Sequence, residues 1–293
     1  MEKILLIIDS PGDLTKEQVE GMPIWVAPVR ITYEGKERLE YYEIDRQEYW
    51  KDLDRLEEIP ATAQITPPQW MQMYQNAAAA DYTHVLVYTL SGTASGIYNA
   101  SCMAAQLYRE ENPGGLVIDI IDSRSYSFIY GRNILKAAQM VEDGLPFAQI
   151  CDSLRELTRR SNGILWVYTL RHMRKSGRIS GVAAFVGETL GLRPLLLIKD
   201  GYIGPIDKVR GDRNVVPRAV ELVKKYAVNP QEQVMEILYS DVPQEEIDLA
   251  VKLVREELNP KEIVLQPIGC AIATNCGPTA MAICFYGEPF ELG

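Results

Sequence analysis

Hydroxyls and glycines crowd one turn of this chain, Ser91-Gly92-Thr93-Ala94-Ser95-Gly96-Ile97-Tyr98-Asn99-Ala100, directly behind the apolar run from His84 to Leu90. Such a run reads as a buried parallel strand. A polar turn at its carboxyl end, feeding a helix, is where open α/β sheets bind anionic groups. The Ser95 hydroxyl and the N–H groups that begin the next helix suit a carboxylate or phosphate; plain helix capping is the competing reading. The spacing G-x-x-S-G is not the nucleophile elbow G-x-S-x-G, and Ser95 has no evident histidine base, so attack by this serine is not indicated.

Two further segments carry groups that could do chemistry. The run Ile4 to Ile8 ends in Asp9-Ser10-Pro11-Gly12-Asp13-Leu14. A phosphotransferase of the haloacid dehalogenase type wants a second Asp two residues after the first, to hold magnesium beside the nucleophile, and Pro11 occupies that place. An Asx-type turn with Asp13 capping the next helix is the simpler reading. In Thr62-Ala63-Gln64-Ile65-Thr66-Pro67, Thr66 is a ready N-cap with Pro67 at the first helical position. Thr62 is not explained by that cap and stands as a candidate hydroxyl donor.

Positive charge concentrates in Leu170-Arg171-His172-Met173-Arg174-Lys175-Ser176-Gly177-Arg178-Ile179-Ser180, and again at Lys208, Arg210 and Arg213. Solvated helix ends are the ordinary meaning of such runs, and a docking surface or an anion contact is the functional one. A formal charge of -10 argues against nucleic acid as a partner, because phosphate binding rests on Lys and Arg. The five cysteines are odd in number and include no C-x-x-C, which implies reduced thiols. With only His84 and His172 to help, in separate segments, no zinc site is expected.

These groups need a scaffold, and its outline is readable. With 293 residues and 47% apolar composition the chain can bury a full core and should form two domains. The apolar run Ile4 to Ile8 is too short for a signal sequence or a membrane span, so a cytoplasmic, unanchored protein is expected. The runs Ile4 to Ile8, Val85 to Leu90 and Leu116 to Ile121 alternate with helical stretches, as in βαβ units on a parallel sheet. An excursion from Ile31 to Glu58 reads as a hairpin turning at Glu34-Gly35, followed by a helix.

Ser161-Asn162-Gly163 breaks the helical pattern that begins at Pro146, and the domain boundary is placed there: residues 1–160 and 161–293. The second part alternates strands at Gly163 to Thr169, Arg193 to Lys199, Gln233 to Ser240, Glu262 to Ile268 and Ala280 to Tyr286 with helices at Val215 to Ala227 and Gln244 to Leu258. Asp200-Gly201 makes a hairpin turn. The expected fold class is α/β, a parallel-sheet domain followed by a smaller domain with a mixed sheet.

In this order the segments resemble the DegV family. The resemblance runs through Asp9-Ser10 and Asp13-Leu14, Thr62 with Gln64 and Pro67, Ser95-Gly96 with Tyr98, and Asp122-Ser123 with Gly131. It continues through Leu170, Gly177-Arg178-Ile179-Ser180, Leu192-Arg193-Pro194, Asp200-Gly201, Arg210 and Gly277-Pro278. It implies two α/β domains clasping a buried acyl tunnel, and a non-enzymatic carrier that presents a long-chain fatty acid to a separate ATP-dependent kinase subunit for acyl phosphate formation.

On this resemblance Thr62, Ser95, Gly96 and Asn275 contact the lipid carboxylate, Asp9, Ser10, Ser91 and Arg178 lie near the headgroup, and Arg174, Arg210 and Arg213 dock the kinase. No metal or cofactor is implied beyond the bound fatty acid. The sequence departs from the family pattern at Ala63, Ile65, Gly92, Asn275 and Thr279; Asn275 stands where a histidine is usual, and its amide cannot carry positive charge.

Ile164, Trp166, Phe185, Leu190, Leu195 and Ile283 are candidate tunnel lining, with ordinary core as the competing assignment. A phosphotransferase of the dihydroxyacetone kinase type is the alternative function, and it would need a well-placed histidine. A binder of some other amphiphile is a third reading.

Overall fold

The computed structural model describes residues 2–177 and 191–290, so Arg178, Phe185 and Leu190 lie outside the described residues. The first part of the chain runs β1 (Ile4–Asp9), α1 (Lys16–Val19), β2 (Ile24–Ala27), β3 (Arg30–Tyr33), β4 (Lys36–Leu39), α2 (Arg46–Arg55), β5 (Ala61–Ala63), α3 (Pro67–Ala79), β6 (His84–Thr89), α4 (Ile97–Glu111), β7 (Val117–Asp122), α5 (Phe128–Glu142) and α6 (Phe147–Arg160). Strands β2, β1, β6 and β7 pair in that order, all parallel. Every residue of β1 is buried, as expected of a parallel strand covered on both faces.

The excursion is the expected hairpin and helix. Glu34 (φ 50°) and Gly35 (φ 69°) both take positive φ, the signature of a type I′ turn, and join β3 to β4. Strand β5 adds to the other edge of β3 and places Thr62 opposite Ile31.

The second part continues with β8 (Ser161–Val167), α7 (Arg171–Ser176), β9 (Leu192–Lys199), β10 (Tyr202–Arg210), α8 (Val215–Tyr226), β11 (Val234–Tyr239), α9 (Gln244–Leu258), β12 (Glu262–Pro267), α10 (Cys270–Cys276) and β13 (Ala280–Tyr286). Six of these strands form a mixed sheet in the order β10-β9-β8-β13-β11-β12, with only β11 and β12 parallel. The fold class is the expected α/β, a parallel sheet followed by a mixed one.

Period-two alternation sorts the mixed sheet's side chains onto two faces. Ile164, Trp166, Leu195 and Ile283 join Val216, Val220 and Val254 of α8 and α9 in one apolar cluster. Their strand neighbours Leu165, Val167, Leu196, Ile198, Ala282 and Cys284 join the core of the parallel-sheet part instead. The four described candidates for tunnel lining are therefore ordinary core, one residue out of phase with the face that meets the first lobe.

Polar groups fix the two lobes against each other. Arg132 of α5 pairs with Glu236 of β11 at 2.6 Å, with side chains only 3% and 7% exposed. Asn133 donates to the Tyr88 and Ser161 hydroxyls and accepts from Tyr286 Oη at 2.6 Å. A buried ion pair of this kind adds little net stability, but removing one partner would strand the other.

Candidate functional site

Between the carboxyl ends of the parallel strands and the inner face of the mixed sheet lies a cavity of about 310 Å³, at the lower end of the range of about 300–1,000 Å³ usual for ligand pockets. Leu165, Ile198, Ile203, Leu238 and Ala282 form its sheet wall, and Leu90, Ile97 and Ile129 face them from the first lobe. Ala271, Ile272, Asn275 and Cys276 of α10 close another side, and Thr62, Ala63 and Gln64 complete the rim. Ala282 lies between Leu165 and Leu238 in the strand register, so a small residue sits in the middle of a bulky row. Gly163 makes room of a different kind: a Cβ there would lie 2.4 Å from Cδ1 of Ile129, so this glycine is what lets Ile129 approach the sheet and shape the wall.

Thr62, Ser95, Gly96 and Asn275 all line this cavity. The Ser95 turn is assembled from backbone: Ala94 and Ser95 N–H both donate to Ser91 O, Ser91 N–H donates to Ser125 O, and Gly92 N–H donates to Asp122. Gly96 then caps α4, fifteen residues long, whose amino end adds positive dipole character. Among the described residues, neither the Thr62 hydroxyl nor the Gly96 N–H has a hydrogen-bond partner, and the Ser95 oxygen only accepts, from Ile97 N–H at 3.4 Å. The donors of Thr62, Ser95 and Gly96, together with the Gln64 side-chain amide, thus remain available on the wall of a mostly apolar cavity. Asn275 differs, because its amide already donates to Ala271 O at 2.7 Å within α10.

The other headgroup candidates sit behind the wall. Asp9 is fully buried and accepts from Leu90 N–H at 2.9 Å and from Tyr130 Oη at 2.5 Å. Ser10 donates to Glu40 at 2.6 Å and accepts from Val29 N–H at 3.0 Å. Ser91 is buried, and its hydroxyl is paired with that of Thr93 at 2.9 Å. None of the three lines the cavity; each satisfies a loop that must itself be held, which accounts for its polarity. Arg174, Arg210 and Arg213 are exposed, on α7, at the end of β10 and just beyond it.

Sequence reading missed the carboxylate that ties the site's supports together. Glu40 is 3% exposed; it accepts from Ser10 Oγ and, at 2.6 Å, from Ala271 N–H at the start of α10. Burial pushes its carboxyl up, against the pull of those donors and of Arg46. Asp9 and Asp13 are both pushed up to about 7, chiefly by burial, although Tyr130 and Leu90 favour the ionised form of Asp9, and Arg46 and the Ser127 hydroxyl that of Asp13. No signal in the charge-rich stretch around Glu40 distinguishes it from its exposed neighbours.

Comparison with known proteins fits this geometry. The model of the DegV family, described as an uncharacterised protein family, matches residues 3–288. The chain belongs to the DegV family. It is similar to a DegV domain-containing protein of Caldanaerobacter subterraneus, 28% identical over 97% of this chain and 99% of the relative. Among solved structures, it superposes on a DegV family protein from Thermus thermophilus, described for its fatty acid binding, with a TM-score of 0.87 at 25% identity over 98% of this chain and all of that one. The Bacillus subtilis DegV fold, described as a fatty acid binding protein, matches with a TM-score of 0.85 at 22% identity over 98% and 100%. Among the described residues of this DegV family member, no helix is long and apolar enough to cross a membrane.

Proposed function

We propose that this chain binds a long-chain fatty acid, its tail in the cavity and its carboxylate held by Thr62, Ser95 and the Gly96 N–H, and presents that carboxylate to a separate kinase. The observation that carries the reading is the set of unpartnered donors on a mostly apolar cavity wall. The structural match to the Thermus protein supports it. A sixteen-carbon chain burying about 14 methylenes gains on the order of 11 kcal/mol before association costs. Hydrogen bonds to an ionised carboxylate add roughly 1.5–3 kcal/mol each, much of it offset by desolvation. The tail therefore supplies affinity and the donors set its direction.

In this reading the chain is a carrier without chemistry of its own, and Arg174, Arg210 and Arg213 meet the partner. The alternative phosphotransferase would hold its substrate through an imidazole. His84 opens β6 at the end away from the cavity and pairs with Glu2, and His172 is buried outside the cavity wall. That placement favours the carrier.

Titration with palmitate and with its methyl ester tests the proposal. The free acid should bind tightly, the ester at least tenfold more weakly, and Ala282→Leu, which crowds the sheet wall, should weaken both. Equal affinity for acid and ester would move the assignment to a neutral amphiphile. Arg210→Ala should reduce kinase-dependent phosphorylation of the bound acid without changing its affinity.

A further inference from the structure

The tip of the β9–β10 hairpin crosses from the mixed-sheet lobe to the loops that carry Ser95. Asp200 (φ 50°) and Gly201 (φ 73°) form its turn, both with positive φ as a tight two-residue hairpin requires. Gly201 O accepts from Thr93 Oγ1 at 2.8 Å and from Tyr126 Oη at 2.9 Å, and Gly201 N–H donates to Arg124 O at 2.5 Å. The Arg124 guanidinium pairs with the Asp200 carboxylate, with side chains 26% and 31% exposed. A Cβ on Gly201 would lie 3.1 Å from Ser91 Oγ and 3.3 Å from Thr93 Cγ2, so only a glycine seats the turn this closely against the Ser91–Gly96 loop.

One position beyond the pair that flanks this tip, Ile198 and Ile203 face each other across the hairpin and both line the cavity. Strand β10 is the edge of its sheet, so nothing in that sheet braces it from outside. One turn therefore joins an edge hairpin that forms cavity wall to the loop that presents Ser95. Asp122 braces the receiving side, accepting from Gly92 N–H at 3.1 Å and Arg124 N–H at 2.8 Å.

We infer that the Asp200–Gly201 turn is a latch: docked on Thr93, Arg124 and Tyr126 it holds the Ser95 loop in register and narrows the cavity's mouth, and its release lets the tip and the edge strand β10, with Ile203, tilt away from β9 so that an acyl chain enters or leaves. The inference rests on the fatty acid reading above. Release breaks a few polar contacts at a half-exposed tip and leaves the strand ladder to β8 and the α8–α9 face intact, so it is far easier than separating the lobes.

The test measures exchange of a fluorescent fatty acid by stopped flow in the full chain, together with its equilibrium affinity. Asp200→Asn and Arg124→Gln remove the ion pair while leaving the turn and the cavity lining unchanged. Each should speed both association and release about tenfold, the weight of one charged hydrogen bond, with Kd altered less than about threefold. The double variant should exchange no faster than either single one, because both break one contact. Exchange rates equal to the unmodified chain's would overturn the latch, as would faster release with unchanged association. An unmodified chain that takes up no fatty acid would instead overturn the binding reading itself.

Discussion

Two polar clusters close the carboxyl ends of the adjacent strands β1 and β6, and they are built in opposite ways. In the first, Asp9, Ser10, Asp13 and Glu40 are buried and held by Tyr130, Leu90, Val29, Ser127 and Ala271. In the second, Thr62, Ser95 and Gly96 keep donors that nothing in the described protein accepts from, on the wall of a mostly apolar cavity. The first set is satisfied from within, as buried polar groups normally are, whereas Thr62, Ser95 and Gly96 are only half-buried. Where donors are left over beside an apolar space, the missing acceptor is best sought in a ligand. The first cluster is scaffold and the second is site, although both stand in the position where α/β sheets bind ligands.

Substitutions can separate the two. Glu40→Ala strands the Ser10 hydroxyl and the Ala271 N–H in the interior, and should lower unfolding free energy in urea by about 3 kcal/mol. A loss below about 1 kcal/mol would erase the distinction between the clusters. Ser95→Ala combined with Thr62→Val should weaken fatty acid binding roughly 10- to 100-fold, read by titration, while the urea midpoint stays where it was.

The scaffold cluster also gives stability a pH dependence. Asp9 and Asp13 titrate at about 7 in the fold and at 3.8 when unperturbed, so between these values the native chain keeps protons that the unfolded chain has released. Their contribution is complete below the unfolded value and declines as pH rises toward 7. The protein should be more stable at pH 5 than at pH 8, by roughly 2–3 kcal/mol for each of the two groups, and Asp9→Asn should flatten the profile. The smallest effect belongs to Asn275→Ala. With its amide already donating to Ala271 O, affinity should change less than about threefold, and a larger loss would make Asn275 a full member of the donor set.

The longer strands were legible because they are apolar runs bounded by turn residues, and the β3–β4 and β9–β10 turns carry Glu-Gly and Asp-Gly pairs that demand positive φ; β2 and β5, four and three residues long, and the order of strands within each sheet were not. Thr62 stood out because Thr66 already serves as the cap of α3, and its side chain does form a capping box with Gln69. The cavity wall was not legible. Strands β8, β9 and β13 are apolar on both faces, so alternation identifies two sets of residues without saying which set faces a void, and Ile164, Trp166, Leu195 and Ile283 fell in the other set. Helix α10 escaped notice because Cys270–Cys276 is under two turns of mostly small residues with no apolar stripe. Glu40 acquires its role only when β4 brings it beside Ser10 and α10, a meeting of segments 30 and 231 residues apart.

Native mass spectrometry of protein purified from cells without added lipid, followed by lipid extraction, tests the central claim most directly. The account predicts one acyl chain per protomer bearing a free carboxyl or its acyl phosphate, and its loss from the combined Thr62→Val and Ser95→Ala protein. A chain that leaves the cell with no lipid and acquires none from a mixed fatty acid pool would contradict it.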